Sequence, residues 1–295
     1  MGLSTFSEIK KMKTDDMICV EGNLLKQYQS VLLEMMDDVD SVCKEEKIKY
    51  SLGGGSALGA VRHSGFIPWD DDIDVNIYEK DLEQFINAFN KKFGDKYWIH
   101  IPGKTKGYYF LFVQIRKKGT RVVEIEDDEK NEELGVPLDV FPIEYTYDNP
   151  VLRGVHCFLS MFSKFVLSCS KLWKNRKTIN RLFEGRRSKI IMVKEVLGFC
   201  FSLIPIDFQV KTAYRINKMC SQSGKYDVIP SGRKHFKGEI YPCDVFSETR
   251  YMPFEGECFL VTEKYDYYLK KLYGDYMQIP PEAKREHHYL RGIQL

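Results

Sequence analysis

Four aspartates, Asp70, Asp71, Asp72 and Asp74, crowd into five positions, about one short helix and one loop beyond the glycine run Gly53, Gly54 and Gly55 and its neighbour Ser56. Carboxylates packed this closely repel one another unless a cation sits among them, and hard oxygen ligands suit Mg2+ or Mn2+. A glycine turn lets backbone N–H groups approach a phosphate without side-chain obstruction. Together the two runs point to a metal held among Asp70, Asp72 and Asp74 and to a nucleotide's phosphates held against the glycine turn from Gly53 to Ser56. An isolated acidic run after Pro68 would read as a solvated turn. Here Ile73, Val75 and Ile77 alternate with Asp72, Asp74 and Asn76, so the spacing predicts a half-buried strand on which Asp70, Asp72 and Asp74 share one face.

Further polar residues fall near these two runs. Arg62 and His63 close the short helix that separates them. The planar fork of Arg62 could clamp a phosphate, and His63 could move a proton or hydrogen-bond the loop. Gln114 and Arg116 alternate with Val113 and Ile115, so they share a face of a later strand that could meet the bound nucleotide.

Elements must hold these side chains in place. Apolar residues at helical spacing predict a helix over residues 24–47, covering one face of a sheet. A strand over 48–52 leads into the glycine turn, and a short helix over 57–62 presents its amino end, with free N–H groups, to an anion. A loop over 66–69, the acidic strand and a second helix over 79–93 follow. Strands over 108–115 and 121–125 pair around a turn at 117–120, where Gly119 supplies backbone freedom. The next strand, over 136–141, carries Asp139.

The segment after Asn149 changes character. Residues 151–173 are apolar and aromatic, but Arg153, Lys164 and Lys171 interrupt the run of about 20 apolar residues that a spanning helix needs. Cations crowd residues 171–194, with Arg186 and Arg187 among them, and a second apolar stretch covers 196–206. This pattern suits either docking on an anionic membrane face or a helical subdomain packed on the catalytic core. Three parts are therefore expected: residues 1–149, a helical insertion over 150–224, and residues 225–295 completing the first part.

Composition sets bounds on function. The 295 residues are 43% apolar, enough for a sizeable core, and the formal charge of +2 supplies no global field for nucleic acid. Eight cysteines form no zinc spacing and read as reduced thiols of a cytoplasmic protein. The amino-terminal stretch carries charges without an apolar core, so no secretory signal is expected.

The stretch GGGSALGAVRHSGFIPWDDDIDV, together with PLDVFPIE from Pro137 and FEGECFLVTEKYDYYLKKLYGDYMQIPPEAKREHH from Phe254, resembles the LicD family. The resemblance implies an α/β, nucleotidyltransferase-like fold, a mixed sheet flanked by helices, and transfer of a phospho-alcohol to a surface glycan or its lipid-linked precursor. It implies a CDP-alcohol donor, CDP-choline first and ribitol or glycerol phosphate as rivals. On the family pattern Gly54, Gly55 and Ser56 hold the phosphate, Asp72 and Asp74 the metal, and Asp139 becomes the third carboxylate, completing the metal site and able to take the acceptor's proton; of Asp70 and Asp71, one could ligate and the other hydrogen-bond the loop at Trp69. Read without the resemblance, Asp139 is a turn aspartate before Phe141 and Pro142. In the carboxy-terminal match, Tyr265, Tyr268, Tyr273, Asp275, Tyr276, Lys284, Arg285 and His288 lie where aromatic rings could hold a quaternary ammonium or simply pack. Nucleotidyl transfer to a small acceptor and a non-catalytic nucleotide-binding module are the alternative functions.

Overall fold

The computed structural model describes residues 17–125, 127–182, 189–282, 285 and 289–295. In chain order it contains β1 (Ile18–Cys19), α1 (Gly22–Glu46), β2 (Tyr50–Leu52), α2 (Gly54–His63), β3 (Asp74–Tyr78), α3 (Glu79–Phe93), β4 (Tyr97–His100), β5 (Val113–Lys117), β6 (Arg121–Glu124) and β7 (Pro137–Thr146). Three helices follow, α4 (Pro150–Leu182), α5 (Lys189–Phe201) and α6 (Ile206–Asn217). The chain then runs through β8 (Tyr226–Val228), α7 (His235–Gly238), β9 (Ile240–Pro242), β10 (Thr249–Phe254), β11 (Glu257–Thr262), α8 (Tyr265–Tyr273) and β12 (Tyr289–Gln294).

The fold is α/β. Its central sheet runs β2-β3-β7-β5-β4, and β8 and β9 extend it from the far end of β7. Only β3 and β7 are parallel neighbours in this sheet, in a register that sets Asp74 beside Asp139. Both strands bury apolar residues on the core side, and Val75, Ile77, Leu138 and Val140 are fully enclosed. Helix α3 lays Leu82, Phe85 and Phe89 into the same core, each burial contributing about 1.5–3 kcal/mol. Its charges match its dipole, with Glu79 and Asp81 in the first turn and Lys91 and Lys92 in the last. Helix α1 covers the sheet with Leu32, Met35, Met36 and Val39, and the left-handed Lys47 stops it.

Three local expectations change. Helix α2 starts at Gly54, so two of the three glycines form its first turn instead of preceding it. The hydrogen-bonded strand β3 starts at Asp74, leaving Asp70, Asp71 and Asp72 in the preceding irregular stretch. Burial still alternates through that stretch: Asp70, Asp72 and Asp74 are half-buried, Asp71 and Ile73 buried. The expected hairpin of the two strands around Gly119 does not form. Both edges of β5 are taken, by β4 and β7, so β6 pairs with β12 in a separate small sheet.

Helices α4 to α6 lie together, α5 and α6 both packing against α4. By length and composition alone α4 is apolar enough to cross a membrane, contrary to the expectation of a segment too interrupted to span. Arg186 and Arg187 lie outside the described residues, as do Lys284 and His288.

Candidate active site

The parallel pairing of β3 with β7 is what builds the site. Asp74 opens β3 and Asp139 is its direct neighbour on β7; the Asp139 backbone N–H donates to the Ile73 carbonyl at 3.1 Å. On the other side of β7, Gln114 is Asp139's antiparallel partner, and its amide donates to Asp139 Oδ1 at 2.7 Å. Arg116 Nε in turn donates to Gln114 Oε1 at 2.6 Å, and its guanidinium lies 3.7 Å from Asp127. Gln114 and Arg116 are both buried, so they fix the carboxylate from behind and do not form the open face toward a donor that their shared parity predicts.

Electrostatics single out Asp139. Burial pushes its carboxyl up to about 7; the Gln114 hydrogen bond opposes this, and the nearby Glu124 and Asp72 reinforce it. Repulsion among these carboxylates is what a divalent cation would relieve, so the donor set fits Mg2+ or Mn2+ in kind. Among the described residues no three His, Cys, Asp or Glu side chains converge on one point. That arrangement suits a cation taking one or two carboxylates from the protein and its remaining ligands from phosphate and water.

The glycines sit against these acids. A Cβ on Gly54, whose φ is +42°, would lie 2.7 Å from Asp74 Oδ2, and one on Gly55 would lie 2.7 Å from Asp70 Oδ2. Gly53 donates its N–H to the Asp74 carbonyl at 2.8 Å, and Ser56 Oγ accepts from the Asp74 N–H at 2.9 Å. The first turn of α2 is thereby locked to the start of β3. Ser56 is buried and serves this lock.

The carboxy-terminal helix closes the turn. Tyr268 on α8 reaches across 214 positions of sequence, its hydroxyl accepting from the Gly54 N–H at 2.9 Å and from the Asn76 side-chain amide at 3.4 Å. One of the amides expected for phosphate is therefore occupied by a tyrosine. The Tyr273 hydroxyl stands 3.7 Å from the same Gly54 Cβ position, and Arg233 lies over the Tyr273 ring at 5.1 Å. Arg62 donates from Nη1 to the Tyr276 carbonyl at 2.7 Å and from Nε to His63 Nε2 at 2.9 Å, strapping the carboxy-terminal segment to α2. Burial lowers the pKa of Arg62, and burial followed by the Arg62 charge lowers that of His63.

Sequence reasoning placed Asp72, Asp74, Asp139 and the glycines in one neighbourhood. It did not find Asn76, whose amide faces Gly53 and Tyr268, or Arg233, which comes from a loop about 160 residues away in sequence. Only the parity of Asn76 with Asp74 on β3 pointed toward it.

Comparison with known proteins gives a consistent picture. The family model described as LicD/FKTN/FKRP, nucleotidyltransferase domain, matches residues 47–150, which hold every element of the site except α8 and the Arg233 loop. The chain is similar to the lipopolysaccharide cholinephosphotransferase LicD of Haemophilus influenzae, 30% identical over 276 residues, covering 90% of this chain and 96% of that protein. A shorter stretch of 44 residues is 48% identical to the ribitol 5-phosphate transferase FKRP of human and mouse, 15% of this chain and 9% of those proteins.

Proposed function

The chain belongs to the LicD family, and from that premise we propose that it is a metal-dependent transferase moving a phospho-alcohol from a CDP-alcohol, phosphocholine from CDP-choline first, onto a saccharide of a surface glycan or its lipid-linked precursor. The observation that carries this reading is the register of Asp74 beside Asp139, with Gln114 fixing the second carboxylate. Asp72 and Asp74 would hold Mg2+ or Mn2+ together with the donor's phosphates and water, with Asp139 beside them, and the cation would supply charge neutralisation for the donor diphosphate.

The chain's own groups then have definite tasks. Asp139, beside Asp74 and oriented by Gln114, takes the proton of the attacking saccharide hydroxyl as that oxygen bonds to phosphorus and the bond from phosphorus to the CMP oxygen breaks. Gln114 keeps the accepting oxygen in place. The amino end of α2 at Gly54 and Gly55 lies at the acids, so its dipole favours the donor phosphates there. Arg62 holds the carboxy-terminal segment closed, and Tyr273 with Arg233 above it forms a wall suited to a cationic alcohol on the ring or to phosphate on the guanidinium.

The test is incubation with CDP-choline, CDP-ribitol or CDP-glycerol, Mg2+ and a saccharide acceptor. Release of CMP with one alcohol transferred is the expected result. Pyrophosphate released from CTP, with no CMP from any CDP-alcohol, would instead make the protein a nucleotidyltransferase.

A further inference from the structure

Most of the large apolar side chains that the described residues expose belong to α4, α5, α6 and the turns beside them. On α4, Val151, Val155, Phe158 and Phe162 are exposed, and their spacing places them on one helical stripe. Continued toward the carboxyl end, that stripe passes through Cys169 and Trp173, which α5 covers: Gly198 sits against the Cys169 carbonyl and the Trp173 side chain, and Phe199 meets the Trp173 ring at 5.3 Å. Beyond the reach of α5 the stripe is bare, with Phe158 and Phe162 stacked at 6.0 Å. Helix α5 turns a second apolar row outward, Met192, Val193, Val196 and Phe199, which runs on into Leu203 and Ile204; Leu203 is 85% exposed.

Charge decides what covers these rows. Residues 150–217 contain 13 Lys and Arg against three Asp and Glu, a balance of +10. The whole chain carries +2, so the remainder carries −8, 31 cations against 39 acids. Three exposed cations lie in line with the apolar rows: Lys189 precedes Val193 and Val196 on one face of α5, and Lys211 and Arg215 follow Phe208 on one face of α6. A second copy of the chain would set these cations against cations of the same kind. An anionic bilayer supplies the opposite charge and an apolar interior together.

We propose that α4, α5 and the turn into α6 form a docking surface for an anionic lipid bilayer, on which the protein lies without spanning it. Lying flat follows from the other side of α4, which the fold needs. His156 is buried and bonds the Ile216 and Asn217 carbonyls at 2.9 and 3.2 Å, and Ser160 Oγ donates to Asn217 Oδ1 at 2.6 Å. Threading α4 through a bilayer would strip those contacts. The inference goes beyond phospho-alcohol transfer and is read out without it.

The test is flotation of the full chain with vesicles of phosphatidylglycerol and phosphatidylcholine in equal parts, beside vesicles of phosphatidylcholine alone. The wild type is expected to float with the anionic vesicles at low salt and to leave them as salt rises. One variant carries Phe158→Ser, Phe162→Ser and Leu203→Ser; another carries Lys189→Gln, Lys211→Gln and Arg215→Gln. All six positions are exposed or at helix surfaces, so both variants should fold and release CMP from soluble substrates as the wild type does. The charge variant should bind about a hundredfold more weakly, at about 1 kcal/mol per cation. Wild type that stays unbound at low salt overturns the proposal, as does binding that neither variant weakens. A wild-type dimer that the apolar variant turns into monomer would overturn it in favour of an interface between copies.

Discussion

One hydrogen bond, from the Gln114 amide, ties the Asp139 carboxyl to the neighbouring strand of the sheet. Asp74→Asn and Asp139→Asn each remove a negative charge where a cation and a transferring phosphate are proposed, so turnover should fall by about two orders of magnitude or more while the circular dichroism stays that of the wild type. Undiminished CMP release by both variants would exclude those carboxylates from the chemistry. Gln114→Leu leaves Asp139 in place but without its orienting donor, and it strips Arg116 Nε of its acceptor. A loss of about 10- to 100-fold in kcat/KM is expected, with a stability cost of about 1–3 kcal/mol. A separate residue, Glu239, carries a pH signature. It is buried, and burial pushes its carboxyl up to about 7 even though the Lys234 N–H, Lys164, Tyr241 and Arg233 all favour the charged form. The raised value means that the folded state binds this proton more tightly than the unfolded chain does. Its contribution is therefore full below about pH 4.5 and is lost as pH rises through about 7, up to about 3 kcal/mol. Glu239→Gln should flatten the fall in thermal stability across that window; an unchanged slope would show that Glu239 does not titrate there.

At the scale of elements, helix α2 separates two uses of glycine. A Cβ at Gly59 would lie 2.4 Å from the Gly65 backbone carbonyl, which cannot step aside, so Gly59→Ala should cost about 1–3 kcal/mol of stability. At Gly55 the obstacle is the end of the Asp70 side chain, which can swing away. Gly55→Ala should keep or slightly raise stability, since alanine favours the helix, while displacing Asp70 and weakening donor binding. Thermal melts and donor titrations of the two variants distinguish these outcomes, and a large stability loss at Gly55 would make that position purely structural. The elements also show what could be read from sequence. Alternation around Asp74 gave the strand and its buried face because period-2 patterning is local. Parity likewise placed Gln114 and Arg116 together, yet their task depended on β7 lying beside β5, and no local pattern encodes which strand a neighbour will be. The failed hairpin at Gly119 has the same origin: the turn is present, with Gly119 at φ +81°, but the edge that β6 needed was already taken by β7. Asp139 itself was legible only through family resemblance, since an aspartate before Phe141 and Pro142 is locally unremarked.

Across the whole molecule, the site is assembled from ends that are far apart in sequence, and binding should show it. Tyr268 ties α8 to Gly54, and Arg62 ties α2 to the Tyr276 carbonyl just beyond α8, so α2 and this part of the chain are joined at two points beside the acids. A donor seated against Gly54, Gly55 and the carboxylates rests on both elements. Helices α4 to α6 pack around two smaller clusters, Leu172, Ile179 and Ile191 in one, and Leu167, Val210 and Ala213 with Leu111 of the loop before β5 in the other. Separate clusters lead us to expect local openings of different free energy in the two regions. Saturating CDP-choline with Mg2+ should slow amide exchange in residues 53–63 and 265–276 together, by about a hundredfold when the ligand is at a hundred times its Kd. Residues 189–217 should exchange as before. Protection confined to α2 would mean that the tyrosine contact is lost when the donor binds, with the Gly54 amide passing from Tyr268 to a phosphate. Protection centred on α4 to α6 would place the donor elsewhere and would remove the carboxylate pair of β3 and β7 from its binding site.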